Sequence, residues 1–249
     1  MTQSEEIRAL REENERLQKM LRDRDALIHN TFGRYLTDEV LEKILADKDS
    51  LKIGGERRVV SMMFTDLVGS TQLSEEIDPL SFLRMLNHYY EEMIEIINAW
   101  HGNILEFVGD AIVAVFGAPR QNEFSSRDAV ACAVAMQRRM KVVNKWNREQ
   151  GYPELSMGIG LHTGEAILGN IGSQTRMKYD MIGRNVNLAS RVQSFSEGGQ
   201  ILATKELLQA AGEGVLINEA GTRSVRPKGI QGEILLYDVT GYGKHRLDN

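Results

Sequence analysis

The sequence predicts an α+β protein: a ferredoxin-like βαββαβ domain preceded by a helical coiled coil. Three observations predict it. From residue 56 onward, apolar runs of strand length and apolar stripes of helical spacing follow the order β-α-β-β-α-β. That is the split βαβ arrangement, with helices on one face of a mostly antiparallel sheet. Within it, "NILEFVGDAIVAVFGAP" (residues 103–119) reads as two apolar strands joined at Gly109-Asp110. Residues 1–30, by contrast, hold no glycine or proline and repeat a seam in steps of three and four.

The extension comes first in the chain. Its seam places Ile7, Asn14, Leu21 and Ile28 at a, and Leu10, Leu17 and Arg24 at d. An asparagine at an a position fixes register and favours a parallel dimer, at some cost in stability. The same stripe also suits a single amphipathic helix packed on the domain. Residues 31–55 read as a short helix and linker. In "LTDEVLEKILAD", Thr37 is the N-cap, Asp38 and Glu39 lie in the first turn, and Val40, Leu41, Ile44 and Leu45 form the stripe. Gly54-Gly55 marks the boundary, and residues 56–241 form the globular domain.

That domain opens with "RRVVSMMFTD", a strand ending at Asp66. "LVGSTQLSEE" is a loop with a helix start. Leu80, Leu83, Leu86, Tyr90, Met93 and Ile97 predict a helix over 79–101, before the hairpin at 104–117. A second helix covers 124–148. "LSMGIGLHTG" and "EAILGNIG" read as two strands meeting at Gly164. "MKYDMIG" is a short strand, "NVNLASRVQSF" opens a helix, and "GGQILAT" and "GEILLYDV" supply further strands.

Composition narrows the function classes. The 249 residues suit one domain plus an extension, and 42% apolar with 26% charged residues is enough for a core. The net charge of −5 leaves no basic footprint for nucleic acid. It does not conflict with a phosphorylated small molecule, which needs only a few local cations. The one cysteine, Cys132, sits in apolar "AVACAVAMQ" and reads as a buried structural thiol rather than a nucleophile. His29, His88, His101, His162 and His245 show no metal-ligand spacing. No apolar run approaches the ~18 residues of a membrane span. The polar, acidic "MTQSEEIRAL" is unlike a signal peptide, so a cytoplasmic location is expected.

The chemistry gathers around carboxylates. Asp66 ends a strand and Asp110 sits in the hairpin turn. In the ferredoxin-like order these strands are neighbours, so both side chains can meet at one sheet edge. Two carboxylates, a backbone carbonyl and substrate phosphates suit Mg²⁺. Two such ions could clamp an attacking and a leaving oxygen. In "LVGST", Gly69 allows close backbone approach, while Ser70 and Thr71 offer N–H groups to an anion. Alone, that loop is equally an ordinary helix cap. Asn187 and Arg191 are four apart and share a helix face. Their spacing alone suits a local capping or salt contact.

"FTDLVGST", "FVGDAIVAVFG" and "YDMIGRNVNLASR" resemble, in this order, the metal-binding, hairpin and transition-state segments of class III adenylate and guanylate cyclases. The resemblance covers about residues 56–241. It implies conversion of ATP or GTP to the 3′,5′-cyclic nucleotide and pyrophosphate, by attack of the ribose 3′-oxygen on the α-phosphorus. Asp66, Asp110 and the carbonyl of Leu67 would bind two divalent ions, Mg²⁺ or Mn²⁺. Asn187 would orient the ribose, and Arg191 would neutralise charge on the α-phosphate. Lys228, in "RPKG", and Arg176 would reach the phosphates. The resemblance also implies a head-to-tail homodimer with two sites, each taking its aspartates from one protomer and Asn187, Arg191 and the base contacts from the other. A coiled coil could pass a twist or shift to the domains from an upstream sensor or regulator.

The base is left open. Adenylate cyclases of the family usually carry a lysine where this chain has Glu106, paired with aspartate or threonine where it has Asp180. Guanylate cyclases usually carry glutamate at the first position and a small residue at the second. Here a guanine-type glutamate meets an adenine-type aspartate. Each purine then faces one acceptor-on-acceptor conflict, worth about 1–3 kcal/mol if buried. Lys178 and Arg184, close to Asp180 in sequence, could hold it aside. A pocket in which Glu106 never touches the base is a further reading. One rival to catalysis is an inactive, dimeric regulatory module that keeps the fold. Another is a coiled-coil adaptor whose globular part only docks a partner. The intact set Asp66, Asp110, Asn187 and Arg191 argues against the first.

Overall fold

The computed structural model describes residues 3–32, 40–42, 45, 52–227, 229 and 232–247. The chain divides into two compact units, Met1–Leu51 and Lys52–Asn249. In the first, α1 is one helix over Gln3–Phe32. Ile7, Leu10, Leu17 and Leu21 of its seam are all exposed. Most of the short helix expected over "LTDEVLEKILAD" (36–47) lies outside the described residues, but 40–42 and 45 are helical. Among the described residues, no helix is long and apolar enough to cross a membrane.

Among the described residues the second unit is built on nine strands: β1 (Gly54–Leu67), β2 (Gly102–Val108), β3 (Ala111–Phe116), β4 (Met157–Ser173), β5 (Arg176–Ile182), β6 (Ile201–Thr204), β7 (Val215–Val225), β8 (Ile234–Tyr242) and β9 (His245–Arg246). The sheet runs β2-β3-β1-β4-β6-β8-β7, with β5 on β4 and β9 on β8. Among the described residues only the β4–β6 pairing is parallel. The helices are α2 (Ser70–Glu76), α3 (Pro79–Ala99), α4 (Ser125–Glu149), α5 (Arg184–Gln193) and α6 (Lys205–Ala211).

The order and the mixed α+β architecture match the sequence reading. Asp78 caps α3, its Oδ2 accepting the Ser81 N–H at 3.0 Å, and Pro79 fills the first turn where no donor is needed. Met85, Tyr89, Met93, Ile96 and Ile97 form its buried face. That face packs with α4 against Met63, Leu67, Ile112 and Phe116 of the sheet. Cys132 lies in this core, fully buried, and burial pushes its thiol well up, as befits a structural thiol.

Two expectations need correction. The helices do not all lie on one face. Val60, Met62, Val113 and Val115 point away from α3 and α4, and Ala189 of α5 packs against them with Leu168 and Met181. Strand β1 is therefore covered on both sides. That is why its centre reads as a nearly continuous apolar run rather than an alternation. The second correction concerns Gly164, which joins no pair of strands. It lies inside the 17-residue β4, opposite Val60. A Cβ there would fall 2.6 Å from Asn185 Cγ of α5, so the glycine serves close helix approach and not a turn. Helix α6 and strand β7 went unread in the sequence.

Candidate active site

Asp66 stands at the end of β1, one residue before its last, and Asp110 is in the turn between β2 and β3. The β1–β3 register pairs Thr65 with Ile112 and so brings this turn beside the strand end. There Asp110 Oδ2 accepts the Leu67 N–H at 2.9 Å. Thr65 Oγ1 accepts the Ile112 N–H at 3.2 Å and ties the two elements one step inward. The hairpin tip is held from a third side, where Tyr90 Oη of α3 donates to the Gly109 carbonyl. Its ring meets Phe107 at 4.7 Å between centroids. Tyr90 entered the sequence reading only as one apolar position in a helix. The clamp depends on a contact across the fold, which periodicity does not register.

The carboxylates feel each other. Partial burial raises the Asp66 pKa first, and the negative charge and hydrogen bonding of Asp110 raise it further. Burial, with Asp110 nearby, also pushes the Tyr90 hydroxyl up to about 12. An Asp66 whose charged form is disfavoured, with a second carboxylate beside it, is a fit for a cation. The donor set also fits, because magnesium takes one or two carboxylates and leaves the remaining positions to substrate phosphates and water. Among the described residues no group of three or more His, Cys, Asp or Glu forms a cage. His162 has a structural role. It is buried and pushed toward its neutral form, with Nδ1 2.8 Å from Thr204 Oγ1 and Nε2 3.2 Å from Asn185 Oδ1. Asn185 Nδ2 donates to the Glu165 carbonyl at 2.8 Å. This chain anchors the start of α5.

After β1 the chain turns at Gly69, whose φ of +77° is left-handed, and enters α2 at Ser70. Val68 N–H donates to the Ser156 carbonyl at 2.8 Å and fixes the loop. Ser70 is buried and Thr71 exposed. On α5, Asn187 and Arg191 are exposed and share one face. Neither side chain has a hydrogen-bond or ion-pair partner among the described residues, so the local salt contact allowed by their spacing does not form. Arg176 is exposed at the start of β5. Lys228 lies outside the described residues.

The base candidates meet by a less local route. The β2–β3 register shifts between Ile104 and Glu106, leaving Leu105 as a bulge. Ile104 stays in the core under α3, while Glu106 pairs with Val113, a residue of the opposite face. The bulge therefore turns Glu106 toward β5. On β5, Lys178 and Asp180 are two apart and share a face. Lys178 Nζ lies 2.9 Å from Glu106 Oε2 and 3.2 Å from Asp180 Oδ2. Asp180 Oδ1 also accepts the Met181 N–H at 2.8 Å. In a flat sheet, the register would leave Lys178 and Glu106 roughly 36 Å apart along the strands. The long β1–β4 ribbon curls over the sheet to bring them together. Burial lowers the Lys178 pKa, but its bonds to Glu106 and Asp180 outweigh that and raise it.

The model of the adenylate and guanylate cyclase catalytic domain matches residues 55–241. The chain belongs to the class III cyclase family. It is 40% identical to the guanylyl cyclase Cya2, with a TM-score of 0.76 over 79% of this chain and 100% of that one. It is 34% identical to the adenylyl cyclase CyaB from P. aeruginosa, with a TM-score of 0.73 over 78% of this chain and 99% of that one. Adenylate cyclase 1 of Rhizobium meliloti is 32% identical over 89% of this chain, which spans 33% of that protein's length. The chain thus covers about a third of this curated relative. The two structural relatives carry opposite bases in their names, so family membership leaves the base open.

Proposed function

We propose that this domain is a purine nucleoside-triphosphate cyclase, forming a 3′,5′-cyclic nucleotide and pyrophosphate from ATP or GTP. The observation that carries the reading is the carboxylate pair: Asp110 bonded to the Leu67 backbone at 2.9 Å, beside an Asp66 whose ionisation is disfavoured first by burial and then by Asp110. Asp66, Asp110 and the Leu67 carbonyl would hold two divalent ions, Mg²⁺ or Mn²⁺, and these supply Lewis-acid activation of the 3′-oxygen and charge stabilisation at the phosphates. The backbone at Gly69, Ser70 and Thr71 lies beside that pair and suits the distal phosphates, with Arg176 and Lys228 as further cations. The 3′-oxygen loses its proton and bonds to the α-phosphorus, as the bond to the pyrophosphate oxygen breaks. Asn187 orients the ribose, and Arg191 meets the charge that builds on the α-phosphate oxygens.

The exposed, unpartnered state of Asn187 and Arg191 supports a site completed by a second copy of the chain. In that arrangement each protomer gives its carboxylates to one site and its α5 pair to the other, as a two-fold dimer requires. The exposed seam of α1 supports the same pairing, residues 1–30 acting as a parallel coil joined by 31–55 to the catalytic domain at 56–241. A sensor or regulator gripping the coil would act through it. The test is to incubate the purified chain with ATP, GTP, CTP and UTP, with Mg²⁺ and then Mn²⁺, and to separate the products by chromatography. Cyclic purine nucleotide above an Asp110→Ala blank is the expected result. No product under any condition would favour the inactive regulatory module.

A further inference from the structure

We propose that Lys178 is a specificity-determining residue of the base pocket, and that its ammonium lets one pocket accept both adenine and guanine. The inference rests on the cyclase reading above and concerns the same site. Glu106 and Asp180 supply only acceptors when ionised. A purine edge needs more than that. Adenine presents a donor at N6 and an acceptor at N1. Guanine presents an acceptor at O6 and donors at N1 and N2. Neither edge is met by two carboxylates alone.

Lys178 Nζ lies between them, 2.9 Å from Glu106 Oε2 and 3.2 Å from Asp180 Oδ2. An ammonium has three N–H donors and no acceptor. Two are engaged by the carboxylates and one is left. The result is an acceptor–donor–acceptor row: Asp180, Lys178, Glu106. Adenine matches the first two members, with N6–H to Asp180 and N1 accepting from Lys178. Guanine matches the last two, with O6 accepting from Lys178 and N1–H and N2–H to Glu106. In each case the unused carboxylate keeps its partner in Lys178 and is not left as a bare charge. The apparent conflict between a guanine-type glutamate and an adenine-type aspartate disappears once the donor between them is counted.

Stability does not account for this lysine. Its side chain is 41% exposed and those of Glu106 and Asp180 are 48% and 31% exposed. Ion pairs that open to water add little to a fold. Placing the triad takes a bulge at Leu105 and a curled ribbon, which is a large construction for a surface ion pair.

The test uses the full chain and equilibrium binding rather than turnover. 3′-Deoxy-ATP and 3′-deoxy-GTP lack the attacking hydroxyl and cannot cyclise. With Mg²⁺ present, the wild type is expected to bind both, with affinities within about tenfold of each other. Lys178→Met should weaken both by about 10- to 100-fold, the scale of one hydrogen bond to a charged group. Lys178→Arg should recover part of that loss. Glu106→Ala should weaken only the guanine analogue, and Asp180→Ala only the adenine analogue. Unchanged binding of both analogues by Lys178→Met would overturn the assignment. So would weakening of one analogue with tightening of the other. If the wild type binds neither, the cyclase reading itself fails, an outcome distinct from a silent Lys178→Met in a wild type that binds.

Discussion

The carboxylate pair and the base candidates of one protomer belong to one sheet, yet they are held by different means. Asp66 and Asp110 are fixed by neighbours: a strand end, a tight turn, one backbone N–H at 2.9 Å and a tyrosine clamp from α3. Glu106, Lys178 and Asp180 meet only because a bulge reverses the direction of one side chain and a ribbon curls across the sheet. The first end is local and partly buried. The second is assembled over distance and is open to water. The proposed reaction would need the rigid carboxylates, because electrostatic catalysis rewards preorganised groups. Base choice can sit on the adaptable end, where one substitution shifts preference without unmaking the reaction.

The largest effect that would break this division is at the rigid end. Asp110→Ala is expected to cut product formation by about 10³-fold or more, the scale of losing a main electrostatic stabiliser. Its thermal melt should stay cooperative. A loss of less than tenfold would show that the pair is not the reaction centre. Next comes Gly164→Leu. Its side chain would collide with Asn185 and with His162, whose Nε2 lies 3.0 Å from a Cβ at that position. A shift of α5 should lower kcat by about 10–100-fold, since small misplacements of catalytic groups are costly. Binding of a 3′-deoxy nucleotide should change less. Equal losses in both would assign Gly164 to folding instead.

A smaller effect concerns protons. The Asp66 pKa in the folded chain lies above its unfolded value of 3.8. Between the two values the metal-free fold holds the extra proton, so its stability falls as pH rises through that window. Melting in chelator should therefore show a downward slope there that Asp66→Asn flattens. At neutral pH the same variant should melt about 1–3 °C higher in chelator, a modest gain because the pair is only partly buried. Mg²⁺ should stabilise the wild type and not the variant. An unchanged slope in Asp66→Asn would mean that some other group titrates.

The same contrast explains what was legible in the sequence. Asp66 and Asp110 could be read because each sits at an element boundary, and the βαββαβ order makes those elements neighbours. Helices α3 and α4 declared themselves through long apolar stripes. Strand β4 reads as two strands in the sequence because glycine marks turns and close approaches alike. Only Asn185 of α5, packed on Gly164, tells them apart. The second covered face leaves little trace in the sequence because α5 is short and its buried positions are few, Ala189 and Val192. The bulge at Leu105 leaves no mark in a run of apolar residues. Proximity in sequence pointed to Lys178 as a neighbour of Asp180, but the contact with Glu106 needs a fold to appear.

The central claim is that the carboxylates of one protomer serve the α5 pair of its partner, and mixing two dead variants tests it directly. Asp110→Ala and Arg191→Ala should each be nearly inactive alone. Unfolded together and refolded as a mixture, half of the dimers would be mixed and would hold one intact site, restoring about a quarter of wild-type product formation. A mixture that stays at the level of the separate variants, while sedimentation shows mixed dimers, would contradict a shared site.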